Sequence, residues 1–369
     1  MSQAQFEIQL IASMVAVACA LPGVFLVLRR MAMMSDAISH TVLLGIVLAF
    51  FITRSINSPL LLIGAALMGV ITVSLVELLN RTRLVKEDAA IGLVFPAIFS
   101  IAVILISRFA GDVHLDTDAV LLGELAFAPF NRIRMFGLDI GPESLYTTGG
   151  ILVLNILFII LLYKELKLAT FDPALAAALG FAPAVLHYAL MTLVSLTAVS
   201  AFDAVGSVLV VAFMIAPPAA AYMLTNSLSR MLLYSALIGV LSAVSGYWLA
   251  HFLDASIAGS MATMTGVSFL TAYLLAPERG LLAQARRRQR QRIDFALTML
   301  TMHIAHHTAT QEAEQENRVT RLNEHLKWSS KFAKEIVSIA ERSGLVQQKK
   351  GLLVLTETGL KRAQQEFSS

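Results

Sequence analysis

Cysteine is almost absent from this 369-residue chain: Cys19 stands alone, which excludes disulfide frameworks, thiolate zinc sites and CxxC redox chemistry. Charge is scarce too. Only 14% of residues are Asp, Glu, Lys or Arg, where soluble domains run at about 25%, and the shortage is confined to one part of the chain. Residues 1–276 hold 12 basic and 15 acidic side chains, whereas residues 277–369 hold 16 and 10. The net charge of +3 is therefore a cancellation between an acidic first part and a basic last part. Residues 1–7 contain no Lys or Arg, so the apolar run after them lacks the basic start of a cleaved signal peptide and reads as a retained span. No GxxxxGK[ST] sequence occurs, which removes ATP binding through a P-loop. These absences exclude a single water-soluble globule.

The first 276 residues are rich in long apolar runs. Stretches near the 20 or so residues that a helix needs to cross a bilayer fall at 7–28, 36–53, 58–79, 89–108, 144–163, 184–201, 204–224, 231–251 and 257–276. They predict an all-α polytopic membrane protein of about nine transmembrane helices over 1–276, then a basic juxtamembrane linker at 277–292 and a small cytoplasmic domain at 293–369. Between 109 and 143, Leu121, Leu122 and Phe127 to Phe130 also fit a short re-entrant or interfacial piece, which would leave eight spans. Basic residues in short loops set direction. With the N-terminus outside, Arg29, Arg30, Arg81, Arg83, Lys86, Lys164, Lys167 and Arg230 fall on the cytoplasmic side, against Arg54, Arg108, Arg132 and Arg134 outside. That orientation also brings Arg286, Arg287, Arg288, Arg290 and Arg292 to the anionic lipid head groups of the inner face.

Ionisable groups in apolar spans are functional candidates by default. Asp36 and His40 stand at i and i+4, which share a helix face, so one carboxylate oxygen and one imidazole nitrogen can bind the same divalent cation, and that donor set suits manganese, iron or zinc. The competing reading has Ser35 or Asp36 capping the second span while His40 bonds across helices. Glu124, Asp203, His251 and Asp254 are further ligand candidates with no spacing argument behind them. Between the fifth and sixth spans, Asp172 is a natural N-cap, Pro173 suits the first helical position, and Gly180 suits the left-handed residue that ends a helix. This punctuation predicts a short isolated helix that carries Ala176 and Ala177 and is stiff enough to serve as a lever. In the seventh span, Pro217 and Pro218 free backbone carbonyls, tolerated at membrane depth only against protein or a wet cavity, so this helix is either a pore-lining element or a kinked structural one.

Three motifs in order, Arg29-Arg30-Met31 through Asp36-Ala37-Ile38-Ser39-His40 to Leu44-Gly45, then Asp172 to Gly180, then Val205 to Ala212 with Pro217 to Ala221, resemble the permease subunit of metal-chelate ABC importers of the zinc/manganese/iron class over about residues 8–276. The double proline departs from the single one usual there. The resemblance implies a type II ABC importer-like fold in a bacterial cytoplasmic (inner) membrane. It implies no catalysis by this chain, ATP hydrolysis on a separate ATPase subunit docked at 172–180, an extracellular or periplasmic metal-binding protein, and a second permease copy or paralogue. It implies a divalent metal ion as cargo, manganese favoured over zinc or iron, with no permanently bound cofactor, and it strengthens the assignment of Asp36 and His40 as metal ligands. A secondary transporter working without an ATPase and a membrane-tethered regulator are the alternatives.

In the tail, a helix over 293–312, a short one over Arg318 to Trp328 and a third opening at Ser329-Ser330-Lys331 precede a hairpin around Lys350-Gly351 and a last helix opened by Leu355-Thr356-Glu357-Thr358-Gly359. That order resembles a winged-helix domain. Residues 293–369 hold 10 basic and 9 acidic groups, far from the basic footprint that phosphate binding needs, so a regulatory or dimerisation module is favoured over DNA binding. His303, His306 and His307, at i, i+3 and i+4, are candidates for sensing metal inside the cell; a solvated helix face is the plainer reading.

Overall fold

The computed structural model describes residues 2–55, 58–109, 125–135, 138–308, 317–319, 322, 326–349 and 351–367. These form two compact units, Met1–Gly280 and Leu281–Ser369.

The first unit runs α1 (Gln3–Leu28), α2 (Ala32–Thr53), α3 (Pro59–Arg81), α4 (Glu87–Phe109), β1 (Arg132–Met135), β2 (Leu138–Pro142), α5 (Glu143–Leu161), α6 (Tyr163–Phe171), α7 (Pro173–Ala178), α8 (Pro183–Val205), α9 (Ser207–Leu224), α10 (Leu228–Leu253) and α11 (Ile257–Leu275). Among the described residues nine of these helices, α1 to α5 and α8 to α11, are long and apolar enough to cross a membrane. Where the sequence also allowed a re-entrant piece, the described part is a turn at 125–130 followed by the antiparallel β1–β2 hairpin; Leu121, Leu122 and Glu124 lie outside the described residues. Arg132 ties the hairpin to the start of α1, with ion pairs of 3.0 Å to Glu7 and 2.7 Å to Asp139.

α1 is the hub, packed by α5, α8, α9 and α10. Its Ala12, Ala16 and Gly23 are small enough for neighbouring backbones to come close, the usual device where lipid is as apolar as any side chain. The closest approach of α1 lies beside the double proline. Pro217 and Pro218 are buried and α9 continues through them. Pro218 leaves the Met214 carbonyl without its helical donor, and that carbonyl lies against Gly23, where a built Cβ would stand 2.1 Å from the oxygen. The freed Met214 carbonyl is thus covered by the α1 backbone, whatever path the rest of α9 borders.

The second unit contains α12 (Leu281–His307), α13 (Ser330–Arg342), β3 (Val346–Lys349), β4 (Leu352–Leu355) and α14 (Glu357–Phe367). The arginine-rich stretch is not a separate linker. It forms the first half of α12, whose Leu297, Leu300 and Ile304 enter the core of this unit with Leu322, Ile336, Val337 and Leu353, because nothing between 281 and 307 breaks a run of good helix formers. The Ser329 side chain accepts from the Phe332 N–H to cap α13. Thr356 accepts from the Gly359 N–H at 3.1 Å, and Gly359 must be glycine-sized because a Cβ there would stand 2.1 Å from the Leu345 carbonyl. Five of the eleven residues of the short helix expected over 318–328 lie outside the described residues, and Arg318 bridges Leu352 beside the hairpin.

Candidate functional site

Met31 is the N-cap of α2 and makes no side-chain cap bond, and the Ser35 hydroxyl donates to the Ala32 carbonyl at 2.8 Å. Neither Ser35 nor Asp36 is a cap, so the capping alternative falls. At 1.5 Å per residue, Asp36 and His40 lie about 6 and 12 Å into a helix about 33 Å long. His40 Nε2 stands 3.6 Å from Asp36 Oδ1, with the imidazole 26% and the carboxylate 44% exposed. On its other side the imidazole meets the rings of Phe95 and Phe99 of α4, at centroid distances of 5.2 and 5.7 Å. The pair therefore has an apolar wall on the side of α4 and is partly exposed elsewhere.

Two features hold α2 in this rotation, and both escape a search for ligands. Thr72 of α3 donates to Thr41 at 2.8 Å in a buried contact next to His40. One turn further on, Gly45 crosses Gly64 so closely that a Cβ on Gly45 would stand 2.2 Å from the Gly64 carbonyl. The Ser39 hydroxyl, on the turn between Asp36 and His40, is buried with no hydrogen-bond partner among the described residues.

Other candidates do not join the pair. No group of three or more His, Cys, Asp or Glu among the described residues has a metal-holding geometry. The α1–α2 turn shares an end of the bundle with α6 and α8, through Arg29 and Thr170 at 3.2 Å, and the end of α3 reaches the same place through Tyr188 and Glu77 at 2.5 Å. Alternating spans then carry the last turn of α10, with His251 and Asp254, to the opposite end. There His251 stacks on Tyr247 at 6.5 Å, and Asp254 is the left-handed residue that ends the helix. The Asp203 side chain lies outside the described residues.

The short helix takes the form its punctuation predicts. The Asp172 carboxylate accepts from the Leu175 N–H at 2.9 Å, and Pro173 opens α7. Gly180 ends it at φ +85°, with Gly180 N–H bonding to the Ala177 carbonyl and Phe181 N–H to the Ala176 carbonyl, the paired bonds of a Schellman stop. Its two central alanines part company. Ala176 is fully buried against Ala169 and Leu186 of its own chain, so it holds the helix to its base, while Ala177 is exposed. Leu175 and Leu179, 46% and 61% exposed, extend an apolar outer face that the spacing of the small residues does not indicate.

In the second unit the three histidines do not converge as one chelate. The rings of His303 and His307 stand 4.7 Å apart and those of His306 and His307 5.2 Å, which leaves an i, i+4 pair with His306 at its edge.

The profile of the ABC 3 transport family matches residues 2–276. The chain is 48% identical over 358 residues to the zinc transport system membrane protein TroD of Treponema pallidum, covering 97% of each chain. It is 51% identical over 284 residues to the manganese transport system membrane protein MntD of Bacillus subtilis, covering 76% of this chain and 96% of that one, so about a quarter of this chain has no counterpart there. Among solved structures, PsaBC from Streptococcus pneumoniae in complex with Fab superposes with a TM-score of 0.63 and 27% identity over 75% of this chain and 94% of that chain. The span count, the ordered motifs and these likenesses together place the chain in the ABC 3 transport family, as a multi-pass membrane permease subunit whose ATP hydrolysis lies in a separate subunit.

Proposed function

We propose that this permease imports a divalent transition metal, manganese in preference to zinc or iron, and that Asp36 and His40 receive the ion. The observation that carries the reading is the 3.6 Å carboxylate–imidazole pair inside a membrane span, partly exposed. Its oxygen and nitrogen donors suit manganese as well as iron and zinc, and the one cysteine is buried elsewhere in α1, so no soft thiolate biases the site to zinc. The relatives divide, with MntD named for manganese and TroD for zinc. With two ligands from this chain, the remaining positions are left to water, to the delivery protein or to a second permease copy. An outside N-terminus makes α7 cytoplasmic, where an ATPase can seat the Leu175, Ala177 and Leu179 face and drive alternating access. In the tail, His303 and His307 are proposed to answer to metal inside the cell.

The test is uptake of radiolabelled Mn²⁺, Zn²⁺ and Fe²⁺, singly and in competition, by cells that keep the ATPase but carry or lack this chain. Chain-dependent uptake of manganese that excess zinc fails to suppress is the expected result. Unchanged uptake of all three metals on deletion would refute import, and zinc uptake that outruns manganese would refute the preference. Uptake by the permease reconstituted alone on a proton gradient would favour a secondary transporter.

A further inference from the structure

The turn between α1 and α2 is built around an arginine whose side chain is turned inward. Arg29 N–H bonds to the Phe25 carbonyl at 3.0 Å, and Met31 N–H to the Leu26 carbonyl at 2.9 Å. Arg30 takes the left-handed conformation, φ +62°, that reverses the chain into α2. The Arg29 guanidinium reaches away from this turn to two other elements. Its Nε donates to Thr170 Oγ1 at 3.2 Å, and its Nη1 faces Nδ1 of His187 at 3.5 Å. Its Nη2 is buried with no partner among the described residues, and among these residues it makes no ion pair. Burial lowers its pKa from the ordinary value, but an arginine stays charged in proteins.

A buried guanidinium with an unused donor is a poor way to fill space, because leaving a charged group unsatisfied is expensive and an apolar residue of similar volume often serves as well or better. Its placement offers a different reason for it. Thr170 stands two residues before the Asp172 cap of α7, and His187 seven residues after Gly180, so the guanidinium holds both arms of the short helix. Arg29 itself stands seven residues before Asp36. We propose that Arg29 is a positioning residue for transport, a clasp that carries displacement of α7 into the first turns of α2 and so to the Asp36–His40 pair. The free Nη2 supplies a donor with which the clasp re-forms on shifted arms. This inference rests on the import reading above.

The experiment reconstitutes the complete transporter, with its ATPase and metal-binding protein, in proteoliposomes carrying wild type, Arg29→Met, Arg29→Lys or Thr170→Val. It measures complex yield, ATP hydrolysis and Mn²⁺ and Zn²⁺ uptake. Arg29→Met is expected to keep assembly and basal hydrolysis within about twofold while uptake per ATP falls roughly tenfold or more, the change that one charged hydrogen bond commands. Arg29→Lys, which keeps the charge and one donor, recovers part of the loss, and Thr170→Val, which removes one acceptor only, loses less than Arg29→Met. Wild-type uptake per ATP in an Arg29→Met complex that assembles overturns the clasp. If Arg29→Met fails to assemble, Thr170→Val decides: reduced uptake per ATP at normal yield supports the clasp and unchanged uptake per ATP overturns it. Absence of Mn²⁺ and Zn²⁺ uptake by wild type would instead overturn the import reading.

Discussion

Arginine placed at each of two neighbouring alanines of α7 separates the base of this helix from its outer face. Ala176 has no exposed surface and packs on Ala169 and Leu186. Arginine there must lift α7 from α6 and α8; overpacking alone costs about 1–3 kcal/mol, and a buried unpaired charge adds several more. Ala177 is exposed, and a surface change of this kind falls within about 0.5 kcal/mol. Ala176→Arg is therefore expected to lower the Tm of the solubilised permease, while Ala177→Arg leaves Tm unchanged and lowers affinity for the ATPase. The docking contribution can be sized from Leu175 and Leu179, which are 46% and 61% exposed. Leu→Ala removes three carbons, at about 0.8 kcal/mol each when fully buried. Since roughly half of each side chain is still open to a partner, the pair contributes about 2.5 kcal/mol, or roughly 70-fold in Kd. The assay titrates labelled ATPase subunit onto each permease variant and records thermal unfolding in parallel. Wild-type affinity in both Ala177→Arg and the Leu175→Ala/Leu179→Ala double variant, at wild-type Tm, would refute α7 as the docking surface. A wild-type Tm for Ala176→Arg would refute its packed position.

His40→Ala should reduce metal uptake by more than about tenfold, since even an outer partner of a metal ligand commands about 10–100-fold, with ATPase association intact; normal uptake at normal expression excludes the pair as the site. Gly23→Ala forces a methyl carbon to within 2.1 Å of the Met214 carbonyl and should cost about 1–3 kcal/mol by overpacking, whereas Gly92→Ala, with nothing within 4 Å of its Cβ, should gain about 0.5–1 kcal/mol from helix propensity. Equal melting temperatures for the two variants would contradict the close α1–α9 crossing. Truncation after Gly280, which removes the second unit whole and does not cut α12 at mid-helix, should leave assembly and transport in place while changing how uptake responds to preloaded intracellular Mn²⁺. Superimposable uptake curves for the full and truncated chains would remove a regulatory role for His303 and His307.

Several features of this protein are legible one residue at a time, because the forces behind them are local. The bilayer's thickness demands apolar runs of about twenty residues, so the spans can be read from composition to within a few positions. The orphan amides and carbonyls of a helix demand caps, so Asp172, Pro173 and Gly180 announce α7 before any contact is known. The i, i+4 spacing of Asp36 and His40 brings them onto one face of any helix they share. Charge separates the apolar unit from the tail, although not the point of division, since the arginines of α12 continue a helix whose later turns belong to the tail's core.

The facing of each helix of the first unit was decided only by tertiary structure. A soluble amphipathic helix declares its buried side by a polar stripe opposite it. A span bathed in lipid does not, because lipid and core are equally apolar and packing is chosen by shape. For that reason nothing in the sequence told Ala176 from Ala177, gave the carbonyl freed by Pro218 a resting place on Gly23, or put Thr72 beside Thr41. Arg29 makes the same point with a charge. In sequence it is one of two loop arginines and counts toward orientation and the family motif, whereas in the folded protein Arg30 carries the turn and Arg29 is drawn inward, because Thr170 and His187, 141 and 158 residues further along the chain, supply the acceptors that make its burial tolerable.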